Sequence, residues 1–219
     1  WGLGELGFAY QGGVPQPSPT RVGAQSDWSS VETSMSSTCG TRGTGELWCF
    51  GGLAHDYVPT QIGTGTDCHG LAMPWGAQST VDRLCGLRSN GEIWCLGDFR
   101  EITEVNTDNW TTPRRIDVNA GFSSIDMGHF HGCGLRSGAM WCWGRNDYGQ
   151  LGQGTSGAAP QITPVRVGMA SDWTSVAASG LTTCGLRAGG QIWCWGNGDP
   201  VFMNPVTMRT TPTRIPYDP

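Results

Sequence analysis

Apolar and polar positions alternate along this chain in short bursts, and the bursts recur. The fullest burst reads Cys39-Gly-Thr-Arg42 followed by Leu47-Trp-Cys-Phe-Gly51. It returns as Cys85-Gly-Leu-Arg88 with Ile93-Trp-Cys-Leu-Gly97, as Cys133-Gly-Leu-Arg136 with Met140-Trp-Cys-Trp-Gly144, and as Cys184-Gly-Leu-Arg187 with Ile192-Trp-Cys-Trp-Gly196. The period of roughly 46–52 residues marks a repeat architecture. Alternation with period two predicts strands. Each unit opens on an aromatic-x-x-aliphatic strand (Trp28 to Val31, Phe122 to Ile125, Trp173 to Val176), then carries the two cysteine strands. A fourth strand is expected to open on proline: Pro19–Val22, Pro113–Ile116, Pro164–Val167 and Pro212–Ile215. Four short antiparallel strands per unit describe a propeller blade.

Loop arithmetic sets the hairpin register. Three copies place nine residues between the cysteines and one places eight. The longer copies have Gly45, Gly91 or Gly190 third in the loop, as a three-residue turn ending in a left-handed residue requires. The shorter copy centres on Ser137-Gly138, a two-residue primed turn. Both loops leave the cysteines opposite each other, at a separation within disulfide reach. The predicted pairs are Cys39–Cys49, Cys85–Cys95, Cys133–Cys142 and Cys184–Cys194. Free buried thiols are the competing reading. Zinc is the other, and it prefers pairs two to four residues apart. Cys68 is left over. Its segment Cys68-His-Gly-Leu71 takes the place of an aromatic-x-x-aliphatic step, so Cys68 stands unpaired or joins a cysteine outside the chain. Because each unit is counted from the residue after its Trp-Cys pair, the units run 1–49, 50–95, 96–142 and 143–194, with a partial unit at 195–219. All form one propeller segment over residues 1–219. Trp1 falls in mid-motif, which suggests a piece of a longer chain or an arc completed by another chain.

Composition narrows the setting. The chain has 219 residues, 35 glycines and 14% charged residues, with a net charge of −5 and no lysine. An acidic chain without a basic run is a poor match for nucleic acid. No apolar run is long enough to span a bilayer. Nine cysteines, eight of them in evenly placed pairs, belong to an oxidising compartment and predict a secreted or cell-surface protein. Asn109-Trp110-Thr111 is an N-glycosylation sequon, which would make the protein a glycoprotein.

Candidate chemistry is sparse. No nucleophile motif or phosphate loop is present, and His129-Phe-His131 lacks a third ligand, so no catalytic residue, cofactor or metal is expected. Asp27, Asp67 and Asp172 recur before the first strand and read as turn residues. Arg42, Arg88, Arg136 and Arg187 read as solvated rim charges, with stacking on neighbouring aromatic residues as the alternative. The Trp residues at 48, 94, 141 and 193 fall on the opposite blade face from the cysteines and read as packing. Trp75, Trp110 and Tyr148 lie off this pattern and read as contact residues.

The stretch Trp173-Thr-Ser-Val … Cys184-Gly-Leu … Ile192-Trp-Cys-Trp-Gly196 and the loop Trp143-Gly-Arg-Asn-Asp-Tyr-Gly-Gln-Leu-Gly-Gln-Gly154 resemble the regulator of chromosome condensation repeat. Trp1-Gly-Leu-Gly-Glu-Leu-Gly7 is a worn copy of that loop. The resemblance covers the whole chain. It implies a seven-bladed propeller, of which about four and a half blades are present. Cysteines at both hairpin positions are similar to those of extracellular members, among them the ectodomains of crinkly-type plant receptor kinases. The expectation is a non-catalytic extracellular interaction or structural module, serving adhesion, a cell surface or a fibre, that binds other protein chains. Recognition would fall to the loops Leu53–His69, Asp98–Thr112, Asn146–Thr163 and Gly198–Thr211. The alternatives are a glycan-binding propeller and a secreted inhibitor of an enzyme. The founding family's nucleotide exchange and chromatin binding fit poorly with paired cysteines and an acidic chain.

Overall fold

The computed structural model describes residues 21–34, 36–54, 56–74, 82–99, 109–116, 119–157, 159–197 and 208–216. These form four antiparallel sheets of four strands each. The first sheet holds β1 (Trp28–Thr33), β2 (Ser37–Arg42), β3 (Glu46–Gly51) and β4 (Asp56–Gln61). The second holds β5 (Cys68–Ala72), β6 (Arg83–Arg88), β7 (Ile93–Asp98) and β8 (Asn109–Arg115). The third holds β9 (Phe122–Met127), β10 (His131–Arg136), β11 (Ala139–Gly144) and β12 (Gln161–Arg166). The fourth holds β13 (Trp173–Ser179), β14 (Thr182–Arg187), β15 (Ile192–Gly196) and β16 (Arg209–Arg214). In each sheet the strands lie in chain order.

The first strands adjoin one another in series, β1 to β5, β5 to β9 and β9 to β13. The fourth strands pair with their own third strand. The sheets therefore radiate from a line of first strands as blades do. Each blade is out of phase with the sequence unit: it takes three strands from one unit and its fourth from the next. The partial unit at 195–219 supplies β16 to the fourth blade. Residues 1–20, with Pro19 and the worn motif at Trp1, lie outside the described residues.

The fourth strands correct the sequence reading. Proline falls inside them (Pro59, Pro113, Pro164, Pro212) rather than at their start. A proline is tolerated there because an outer strand pairs on one side only. The four stretches read as recognition loops consequently give residues to β4, β8, β12 and β16.

The hairpin turns follow the arithmetic. Gly45, Gly91 and Gly190 have positive φ, and so do both Ser137 and Gly138. The cysteines stand opposite each other in register. Four disulfides join Cys39–Cys49, Cys85–Cys95, Cys133–Cys142 and Cys184–Cys194 across Cα separations of 4.0–4.1 Å.

The core lies between blades. One apolar cluster joins the first and second blades through Leu47, Leu71, Met73 and Leu84. A second joins the second and third through Leu87, Ile93, Phe122 and Met127. A third joins the third and fourth through Leu135, Met140 and Trp173. The second and third blades thus present their disulfide and aliphatic pair to the next blade's first strand, and the first blade presents its disulfide and Leu47.

A backbone clamp repeats at these junctions. The amide at the first position of the inner strand donates to the hairpin glycine carbonyl of the preceding blade: Cys68 to Gly45 (3.1 Å), Phe122 to Gly91 (3.1 Å) and Trp173 to Gly138 (2.9 Å). A β-carbon on Gly91 would stand 2.5 Å from the backbone of Gly121 and Phe122, so glycine is required there for blade contact as well as for φ. Gly190, the equivalent residue of the fourth blade, has no described atom in that space. Its neighbours Leu186 and Ile192 are 37% and 47% exposed, whereas Leu87 and Ile93 in the second blade are 1% and 0% exposed.

Candidate functional site

The recurring arginines stack rather than solvate the rim. Strand pairing sets Arg42 opposite Trp28, Arg88 opposite Cys68, Arg136 opposite Phe122 and Arg187 opposite Trp173. Arg42 lies over Trp28 (5.5 Å to the ring centre) and Trp48 (4.8 Å). Arg136 lies over Phe122 (5.2 Å) and Trp141 (3.8 Å), and Arg187 over Trp173 (5.7 Å) and Trp193 (5.3 Å). Such contacts stabilise by about 0.5–2 kcal/mol each.

The recurring aspartates meet the same guanidinium groups. Asp27 pairs with Arg42 at 2.9 Å, Asp172 with Arg187 at 2.8 Å and Asp67 with Arg88 at 3.5 Å. The hydrogen bond from Arg42 holds the Asp27 carboxyl below its usual range. In the third blade Gly121 replaces the aspartate, and Arg136 donates to the Asn119 carbonyl instead. Spacing alone hid this ladder, because the partners meet only once the strands are paired. The signal was the joint recurrence of aspartate, aromatic residue and arginine at fixed register.

Carboxylates also tie blades together. Asp82 accepts from the Ser34 and Ser36 hydroxyls of the first blade, both at 2.6 Å. Asp126 accepts from the Ala178 amide of the fourth blade at 2.8 Å. Burial raises the Asp126 pKa.

The loop after β11 is held in place by its own side chains. Asn146 fixes it from both ends of its amide: Nδ2 donates to the Thr155 carbonyl (2.9 Å) and Oδ1 accepts from the Leu151 amide (3.1 Å). Gln150 is buried; its Oε1 accepts from the Tyr148 amide at 2.9 Å. Its carbonyl accepts from the Trp195 indole and the Thr183 hydroxyl, both at 2.9 Å. At the tip of this fixed loop Tyr148 is 40% exposed.

His131 closes the same network from below. Its Nε2 lies 2.8 Å from Thr183 Oγ1. The Thr183 hydroxyl proton is directed to Gln150, so Nε2 carries the histidine proton and donates. Full burial pushes the imidazole pKa down to about 3 from 6.5. Unfolded chains therefore take up a proton below pH 6.5 that the folded protein refuses until about pH 3. Stability from this group is complete above pH 6.5 and falls as pH drops through that window, by up to about 1.4 kcal/mol per pH unit. Asp126, with its raised pKa, acts in the opposite direction. Thermal melts from pH 7 to pH 4 should show a falling Tm, and His131→Gln should flatten the slope.

The remaining predicted site residues divide. Trp110 is not a contact residue: it is 6% exposed and stacks on Phe99 at 4.5 Å within the second core cluster. It was misread because β8 begins at Asn109, which brings Trp110 opposite Gly97 and over the blade. The backbone of Asn109 pairs with Asp98. Trp75 lies outside the described residues. Cys68 makes no disulfide and is half-buried. Burial pushes its thiol up to about 11, which keeps it in the weakly reactive neutral form. Among the described residues no group of three or more His, Cys, Asp or Glu could hold a metal ion. No described helix is long and apolar enough to cross a membrane.

Comparison with known proteins agrees with this geometry. The family model described as the regulator of chromosome condensation (RCC1) repeat matches residues 137–186, and a second RCC1 repeat model matches residues 122–150. The chain is 32% identical over 90 residues to the probable E3 ubiquitin-protein ligase HERC4 of Homo sapiens, a match that covers 38% of this chain and 8% of HERC4. Human WBSCR16 superposes with a TM-score of 0.77 at 14% identity, over 98% of this chain and 60% of that one. Prp20p of Saccharomyces cerevisiae superposes with a TM-score of 0.65 at 18% identity, over 84% of this chain and 50% of that one. The chain thus spans a small part of HERC4 and about half of each structural relative. Residues 122–186 thus carry RCC1 repeats, and the chain as a whole has the blade architecture of an RCC1-like β-propeller.

Proposed function

We propose that this chain is a non-catalytic module that binds other proteins in an oxidising, extracellular setting, at a cell surface or within a secreted assembly. The observation that carries the reading is the Asn146–Gly157 loop, which presents Tyr148 on backbone already fixed by buried side chains. Such a surface loses little entropy on binding, and tyrosine supplies contact area with few rotatable bonds. The four hairpin disulfides support the oxidising setting. Prp20p, a relative of the same fold, is described with binding properties toward Gsp1p and histones. The Asn109 sequon fits a secretory route.

The face of the fourth blade that no described residue covers extends the reading. Leu186, Ile192 and the Gly190 carbonyl repeat what the second blade offers to the third. They suit the first strand of a further blade, from a longer form of this chain or from a partner.

A photo-reactive phenylalanine derivative at position 148 tests the loop. With the extracellular proteins of the source organism it should give a discrete protein adduct. The same group at Val31 on the first blade should not give that adduct. No adduct from position 148, or one shared by both positions, would remove the loop from the reading.

A further inference from the structure

Three blades place an aromatic ring at the start of the inner strand, directly over the glycine that follows the first hairpin cysteine. Where a β-carbon on that glycine would stand, Trp28 comes within 2.9 Å at Gly40, Phe122 within 3.0 Å at Gly134 and Trp173 within 2.6 Å at Gly185. In the second blade the equivalent atom is Cys68 Sγ, 3.0 Å from the same point on Gly86. The sulfur covers the glycine, but it replaces only the root of a ring.

The rest of the ring's space is a cavity of about 220 Å³ between the first two blades. Its walls include Cys68, Arg88, Trp94 and Leu96 of the second blade and Leu47 and Ile62 from the first. The exposed loop at Gly63–Gly65 forms its mouth. Elsewhere the guanidinium lies against two rings, one from each of the first and third strands; Arg88 lies over Trp94 at 4.3 Å and faces Cys68 where the other ring would be.

We propose that this cavity is a binding site for a single aromatic ring of phenyl or indole size. The occupant is identified by the protein's own repeats, since the equivalent position in three sister blades holds such a ring beside an arginine, and in two of them, at Phe122 and Trp173, the ring also packs against aliphatic side chains of the preceding blade. The volume suffices: an apolar protein cavity of about 150 Å³ takes up benzene. Arg88 offers its cationic face to the ring, and Leu47, Ile62 and Leu96 supply apolar walls. The ring can arrive on a free small molecule or on the side chain of a protein.

Titration of the folded, disulfide-intact chain with indole tests the proposal. Saturable binding is expected, and Cys68→Ala should retain it because it widens the cavity. Cys68→Trp should restore the missing ring, raise Tm and weaken indole binding by at least about tenfold. Cys68→Phe makes the same test if the larger residue does not fold. N-acetyl-tryptophanamide separates the sources: if it binds like indole, the mouth admits a polypeptide side chain; if indole alone binds, the ligand is a small molecule. Absence of saturable indole binding to the native chain, or equal binding by the native chain and the ring-filled variants, would overturn the proposal.

Discussion

Reduction of the four hairpin disulfides is expected to lower the melting temperature by about 20 °C or more. Each bridge closes a loop of nine or ten residues. In the chain-entropy account a loop of that size stabilises by roughly 2–3 kcal/mol. Four such terms are comparable to the whole net stability of a domain, about 5–15 kcal/mol. The sulfurs also stand in the core, because the bridged cysteines of the first three blades are fully buried against the following blade. Thermal unfolding followed by circular dichroism, with and without reductant, measures the total. The double variant Cys133→Ala, Cys142→Ala isolates one staple and should cost about 4–12 °C. A shift of only a degree or two on full reduction would mean that the blades hold without their bridges.

Replacement of one glycine should separate stacking from turn chemistry. Gly91 and Gly190 occupy the same hairpin position with nearly the same φ, +79° and +76°. Alanine at either must adopt a left-handed backbone, at about 1–2 kcal/mol. At Gly91 the new methyl also meets the backbone of Gly121 and Phe122, so the second and third blades must part and the Phe122 clamp must lengthen. Overpacking of that kind adds roughly 1–3 kcal/mol or more. Gly91→Ala should therefore lower Tm by about 10 °C and Gly190→Ala by about 3 °C. Equal losses would show that the glycine serves the turn alone.

What was legible in the sequence depended on whether neighbours along a strand or across sheets decide the outcome. The cysteine hairpins were legible because a period of two and a loop count fix which residues face each other. The blade was legible because that hairpin recurs. The start of each fourth strand was not. Proline usually ends a strand, and only the outer position of β8, β12 and β16 reveals why it is tolerated within them. The arginine ladder was hidden for a related reason: Arg42 and Trp28 are far apart in sequence and meet only through the β1–β2 register. Trp110 was misjudged because an off-repeat tryptophan looks like surface until Phe99 is placed beneath it. His131 gave no sign of its role, since Thr183 reaches it from the next blade and is itself held by the Gln150 carbonyl of the loop after β11. Cys68 was visible as a break in the pattern, while the space it leaves became visible only against its three sister blades.

The central claim is that every blade is stapled across its own hairpin, with Cys68 left as a thiol. An arginine lies between the two cysteines of every predicted pair, at Arg42, Arg88, Arg136 and Arg187. Trypsin therefore cuts each hairpin between its cysteines and leaves the two halves joined only by sulfur. Mass spectrometry of an unreduced tryptic digest, alkylated under denaturing conditions, should find four such two-peptide species and alkylation at Cys68 alone. Nine alkylated cysteines, or bridges running between hairpins, would contradict it.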